Sequence, residues 1–334
     1  MVTMSSSAPV KRISNSEIQT FKDCKRKWWL GYYRGLQPIG QQTTGPLALG
    51  TRIHAALEAY YTDGQDLVEV HSKLLDEDRQ KLLLDERDVT ELENEGELGR
   101  IMLEGYMGWL AETGADSEWE VVDAERVVGV SLFDGEVELR GKLDMRVRRL
   151  ADDVTLFVDH KTCAQFTDLS RGAYMDEQFL TYHMLETLDP SNQFRSDGGV
   201  YNMLKKVKRT ASARPPFYER LEVRHNKQML RSFWARIHGE ITDIMRLKAQ
   251  LDAGADHRQV AYPRPSRDCH WKCPFFAVCP LLDDGSAAEH MLSDLYRVGD
   301  PDARYDAAAA AGAQGTAAIS TVDPATSTPG SPNQ

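Results

Sequence analysis

The sequence predicts an α/β fold, a mixed central sheet flanked by helices. Three observations carry this. Apolar and polar residues alternate through Val137, Leu139, Gly141, Leu143, Met145 and Val147, the period of a strand, and again through Val154, Leu156 and Val158. Helical periods lie on both sides of these strands. Strands mixed with flanking helices in this order suggest a layered α/β core.

Taken in order, Met1–Arg12 reads as a loose polar arm without the apolar run of a signal peptide. Ser14-Asn15-Ser16-Glu17 has the spacing of a helix-opening capping box. Leu47–Tyr61 and Gly99–Glu112 read as helices. Between them Asp76–Glu97 carries ten acidic and three basic residues, which suits a solvated helical face. After the two strands, Met175–Leu188 has a helical period, Val200–Val207 and Phe217–Val223 look like strands, and Lys227–Leu251 is a long helix. From Ala303 the chain is small, polar and nearly uncharged, and reads as a disordered tail. The expected division is an arm over 1–12, one folded domain over 13–302 and a tail over 303–334.

The chain has 334 residues, 41% of them hydrophobic, enough to fill a core. Its formal charge of −11 argues against indiscriminate polyanion binding but leaves room for a local basic groove. No segment approaches the ~20 apolar residues that span a bilayer. No membrane partner is therefore expected, and the cytoplasm is the expected location. In that compartment five cysteines suit metal ligands or free thiols better than disulfides.

The second strand ends in Val158-Asp159-His160-Lys161. Asp159 and Lys161 share a strand face, roughly 7 Å apart. Asp144, in Gly141-Lys142-Leu143-Asp144, can approach Asp159 if the strands are neighbours. Two carboxylates at a sheet end repel unless a cation lies between them, and hard oxygen ligands suit Mg²⁺ or Mn²⁺. An ammonium beside them can steady an attacking water and a developing phosphate charge, as phosphodiester hydrolysis requires. The same short motif also fits a surface ion pair. Gln178 and Tyr182, four apart on a helix, could touch a nucleic-acid backbone or form an ordinary half-buried face. His54, with Glu58 one turn later, could be an extra nitrogen ligand or a satisfied core histidine.

Cys269, Cys273 and Cys279 form a tight triplet, with Cys24 far upstream. Four thiolates suit a [4Fe–4S] cluster or, as a second occupant, Zn²⁺. Linking Cys24 to the triplet would staple the N-terminal helix to the C-terminal end. Cys163 reads as a free thiol. Lys22, Lys25, Arg26, Lys27 and Arg34, interleaved with Trp28, Trp29, Tyr32 and Tyr33, could track a phosphate backbone, as could Lys205, Lys206, Lys208, Arg209 and Arg214. Both stretches also fit elements whose aromatics are core.

These pieces together resemble the RecB-like exonucleases of the PD-(D/E)XK superfamily, above all the CRISPR-associated RecB-type and phage-encoded iron–sulfur members. The likeness rests on Cys24 in FKDCKRKWW, His54 in ALGTRIHAALE, Asp144 in GKLD, Asp159 and Lys161 in VDHK, Gln178 and Tyr182 in QFLTY, then the cysteine triplet. It implies a PD-(D/E)XK nuclease core with a helical insertion and a C-terminal cysteine-cluster region. It implies that His54, Asp144, Asp159 and the carbonyl of His160 bind metal, that Lys161 is catalytic, and that the four cysteines hold [4Fe–4S]. Asp159 stands where many relatives carry Glu, and the first two triplet cysteines are spaced by three residues rather than two. The function expected is a DNA exonuclease acting on free ends, with recombination or replication proteins as partners. The alternatives are a non-catalytic DNA-end-binding protein of the same fold and a nuclease acting on RNA.

Overall fold

The computed structural model describes residues 10–40, 43–189, 196–303, 305 and 306. Lys11–Ser14 forms strand β1. The loose arm is thus corrected at Lys11 and Arg12, and its first nine residues lie outside the described ones. Ser14 caps α1 (Asn15–Asp23), its Oγ accepting the Glu17 N–H at 3.3 Å. Only half of the capping box forms, because the Glu17 carboxylate turns to Trp28 Nε1 at 2.9 Å and to Lys11 at 3.4 Å. α2 (Lys25–Trp28), a π-helical turn (Trp29–Tyr33) and β2 (Leu36–Pro38) follow.

Three long helices come next: α3 (Pro46–Asp63), α4 (Leu67–Leu84) and α5 (Thr90–Thr113). Buried Arg52 of α3 ties them together through Asp78 of α4 and Glu95 of α5, each at 2.9 Å. The acidic stretch lies along α4 and α5, mostly solvated as expected.

The sheet is built around β4 (Val137–Arg149). β3 (Trp119–Leu132) runs antiparallel along one of its edges. Two strands share its other edge. β1 lies parallel to Val137–Arg140, and β5 (Val154–Cys163) lies antiparallel to Met145–Arg149. Among the described residues Gly141–Asp144 has no ladder partner on that edge, and a gap opens there. α6 (Phe166–Gly172) and α7 (Glu177–Leu188) lead to β6 (Ser196–Lys205), parallel to β5, and then to β7 (Tyr218–Val223), antiparallel to β6. α8 (Lys227–Asp252), α9 (His257–Val260), α10 (Cys269–Lys272) and α11 (Ala288–Leu295) follow. Finally β8 (Tyr296–Val298) pairs with β2 in a two-stranded sheet that joins the two ends of the fold.

The mixed sheet separates two cores. Ile13, Leu139, Phe157, Phe179, Met203 and Ile237 belong to one, with α1, α7 and α8. Ile53, Leu57, Leu103, Tyr106 and Leu204 belong to the other, with α3 and α5. Adjacent Met203 and Leu204 point to opposite sides, as the strand period of two requires. The tail boundary expected at 303 is corrected. Tyr305 is buried, with the Arg140 guanidinium 4.7 Å above its ring, so packing reaches at least Asp306. The rest of that tail lies outside the described residues. Among those described, no helix is long and apolar enough to cross a membrane.

Candidate active site

The gap beside β4 locates the site. The β4–β5 ladder ends at the Met145–Val158 pair. The next position in that register would pair Asp144 with Asp159, and here the strands part. Asp144 Oδ2 instead accepts the His160 N–H at 2.8 Å. On the same strand, Lys161 Nζ lies 2.7 Å from Asp159 Oδ2 and donates to Gln178 Oε1 at 2.8 Å. Gln178 Nε2 donates in turn to Tyr182 Oη at 2.8 Å. His54, one helix away on α3, brings Nδ1 to 3.4 Å from Asp144 Oδ2. Six residues singled out in the sequence thus line one cleft of about 710 Å³. The seventh, His160, turns its side chain to the other face of the sheet, stacking on Tyr61 at 5.7 Å with Asn202 3.0 Å from Nδ1. Its backbone is the part at the cleft.

Burial presses every charge here toward neutrality, and the neighbours decide the outcome. Burial pushes the Asp159 carboxyl up, and the Asp144 charge adds to this against the opposing pull of Lys161. Burial presses Asp144 the same way, but the hydrogen bond and charge of His54 and the nearby His160 hold it below the ordinary carboxylate range. Burial disfavours the Lys161 ammonium, yet Asp159 raises it on balance. His160, walled in by the core, falls to about 3 and is neutral.

The donor set suits a hard divalent cation. Asp159 Oδ2 is buried, and its closest neighbour of opposite charge among the described residues is the Lys161 ammonium at 2.7 Å. No group of three or more His, Cys, Asp or Glu side chains among the described residues is arranged to hold a metal ion as it stands.

Further residues line the cleft. Glu125 of β3 pairs with Lys142, and its φ of 54° lies in the left-handed region, where a side chain is strained. β3 is half-exposed with no clean alternation, so no strand period announced it. Arg140 and Lys142 were legible, since they alternate with Asp144 along β4 and line the same cleft.

The basic residues divide. Lys206 lines the cleft, and Lys205 flanks it half-buried. Lys25 instead donates to Tyr262 Oη at 3.3 Å, and Lys27 acts on Cys273. Arg26 is a correction. It is 1% exposed and bound to Asp283 at 2.6 Å, so it braces the interior rather than offering charge to solvent. Trp28 and Trp29 are core, and Arg34 is held by Glu289 at 2.8 Å.

The cysteines gather at the far end of α1. Cys24 stands between α1 and α2, Cys269 opens α10 and Cys273 closes it. Burial raises the Cys273 and Cys279 thiols, and the charge of Cys24 bears on both, which puts the sulfurs in one neighbourhood. The Arg264 N–H donates to Cys24 Sγ at 3.4 Å and the Ser266 N–H to Cys269 Sγ at 3.3 Å. Cys163, at the end of β5, is half-buried, and burial raises its thiol.

A sheet whose central strands part to bring acid, acid and lysine into one cleft has the architecture of a nuclease. The model of the PD-(D/E)XK nuclease superfamily matches residues 12–280, and the chain belongs to that superfamily of hydrolases, whose members typically use Mg²⁺ or Mn²⁺. The solved structure of a candidate exonuclease from Eubacterium rectale aligns at a TM-score of 0.46 and 12% identity, over 72% of this chain and 82% of that one. Among curated proteins none matches.

Proposed function

We propose that the protein is a metal-dependent deoxyribonuclease that degrades DNA from a free end. The observation that carries this reading is the meeting of Asp144, Asp159 and Lys161 at the parted end of β4 and β5. Asp144, Asp159, His54 and the His160 carbonyl would hold Mg²⁺ or Mn²⁺, which when bound polarises a phosphoryl oxygen and acidifies water. Lys161 keeps its proton and presents it beside the carboxylates, where it orients the attacking water and offsets charge on the phosphate. Gln178 fixes the ammonium from the α7 side, and Tyr182 fixes Gln178. Lys206, across the cleft, is placed to meet the strand.

Cys24, Cys269, Cys273 and Cys279 would hold a [4Fe–4S] cluster with a structural role, with Zn²⁺ as the alternative occupant. Their shared neighbourhood and the N–H donors on two of the sulfurs support this.

The test is incubation of the purified protein with end-labelled DNA and RNA in Mn²⁺ or Mg²⁺. Progressive shortening of DNA from an end, lost in chelator, is expected. Cutting of circular DNA as fast as linear would remove the requirement for an end. Binding without cleavage in either metal would leave an end-binding protein of nuclease fold.

A further inference from the structure

Beside the catalytic carboxylates lies a second charged arrangement with no part in the steps above. β1 and β4 run parallel with Arg12 opposite Glu138 and Ser14 opposite Arg140. By the strand period Arg12 and Arg140 therefore stand on one face, near the mouth of the cleft. Both guanidinium groups converge on one carboxylate. Arg12 Nη1 donates to both oxygens of Asp306 at 3.0 and 2.9 Å, and Arg140 Nη1 donates to Asp306 Oδ1 at 3.1 Å. Arg140 Nη2 donates to the Asp302 carbonyl at 3.4 Å and lies 3.6 Å from the Asp302 carboxylate. Tyr305, between these aspartates, lies under the Arg140 guanidinium and lines the catalytic cleft.

Arg140 is 4% exposed, and among the described residues its buried Nε–H meets no acceptor. Two guanidiniums converging on one tetra-acceptor group is how proteins bind phosphate. Arg140 and Asp144 are four steps apart along the strand, roughly 13 Å, a span that a short run of sugar–phosphate backbone covers. The Asp306 carboxylate is weakly held by Arg12, because the two are 48% and 45% exposed and exposed pairs contribute little, whereas Asp302 lies deeper at 14% exposure against Arg140. A polyanion that releases counterions on binding can displace them.

We propose that Arg12 and Arg140 form a phosphate-binding subsite for the nucleic-acid strand next to the scissile position, and that Asp302 and Asp306 occupy it in the free protein as a displaceable phosphate mimic. The subsite rests on the nuclease reading for its substrate. The segment that fills it restrains binding until a strand displaces it.

The test uses the full-length chain carrying Asp302→Asn and Asp306→Asn, with a fluorescent single-stranded DNA oligonucleotide in chelator, so that binding is read without cleavage. Affinity is expected to rise about three- to tenfold, with a steeper dependence of log affinity on log salt. Arg12→Gln, at an exposed position, is expected to weaken binding and to reduce that slope by about 1. It is also expected to erase most of the gain from the aspartate changes, since Asp306 is its partner. Unchanged or absent binding in the aspartate variant, with a lower melting temperature, overturns the proposal and leaves the segment a structural clasp. The two readings fail separately. If wild type cuts no nucleic acid in Mn²⁺ while the aspartate variant binds more tightly, the catalytic reading falls and the subsite stands. If wild type cuts and the variants bind alike, the subsite falls.

Discussion

Lys161 and Asp159 sit within 2.7 Å of each other but answer to different neighbours, and this separates their roles. Lys161 is steadied by Gln178 from outside the acid pair, so removing it leaves Asp144, Asp159 and His54 where they are. Lys161→Ala is expected to lower the cleavage rate by ~10²–10⁴ with metal affinity nearly intact. Asp159→Ala is expected to weaken metal binding itself, with partial recovery in excess Mn²⁺. Metal titration by calorimetry beside cleavage rates distinguishes them, and a Lys161→Ala protein that cuts at the wild-type rate would falsify the assignment of the site. At this scale the sequence was most legible where spacing alone decides geometry. Two residues apart on a strand placed Lys161 with Asp159, and four apart on a helix placed Gln178 with Tyr182. Arg26 misled because a basic run looks solvated, whereas its partner Asp283 is brought in by a distant segment that no local pattern reveals.

Elements set the site by how they end and how closely they pack. β4 loses one neighbour before it gains the next, and the gap is the site; that handover depends on β1, a four-residue strand too short to show a period. The extent of β4 and β5 was readable from alternation, but the gap between their partners was not. Gly141 lies within it. A Cβ there would stand 2.9 Å from both Leu185 and Tyr182 of α7, closer than van der Waals contact allows. Gly141→Ala is expected to cost about 1–3 kcal/mol of stability by pushing α7 away. Because Tyr182 supports Gln178 and Gln178 supports Lys161, cleavage is expected to fall more than stability alone explains. Melting curves and rates measured well below the melting temperature check this; a destabilised variant with a normal rate would uncouple α7 from the site. Arg146 of β4 and Glu186 of α7 form a nearby pair, 1% and 0% exposed. Arg146→Leu takes from buried Glu186 its nearest counter-charge, and from Asp123 a partner at 3.2 Å, and is expected to cost about 3–5 kcal/mol, while Arg146→Leu with Glu186→Leu recovers most of it. Equal losses in the single and double variants, read by urea denaturation, would show that Glu186 is satisfied without Arg146.

Across the whole molecule, stability depends on groups that the fold keeps uncharged and on ties that join its ends. His71 is 1% exposed, and burial, aided by Arg52, lowers it to about 4; burial and the neighbouring His225 likewise lower His183 to about 4. Both are neutral when folded and take up protons near 6.5 when unfolded, so their contribution is complete above pH 6.5 and is lost as pH falls toward 4. Each adds up to about 1.4 kcal/mol per pH unit across that window. Denaturation at a series of pH values is expected to show this acid slope, and replacing either histidine by Asn is expected to flatten it. The ends are tied in several ways. β2 pairs with β8, Arg34 holds Glu289, Arg26 holds Asp283, and Cys24 meets the triplet. Only the last would depend on a bound group, the proposed cluster or metal ion. By the scale known for long-loop crosslinks, such a staple is worth on the order of 5 kcal/mol. Because the other ties survive its loss, Cys279→Ser is expected to remain folded, lose its iron and the broad absorbance near ~400 nm of a sulfur-bridged cluster, and melt at a lower temperature. The cysteine end lies apart from the cleft, so residual nuclease activity per folded molecule is expected to persist. Anaerobically purified protein with stoichiometric zinc and no iron would replace the cluster by a zinc site, and unchanged melting of Cys279→Ser would show that the protein ties alone close the fold.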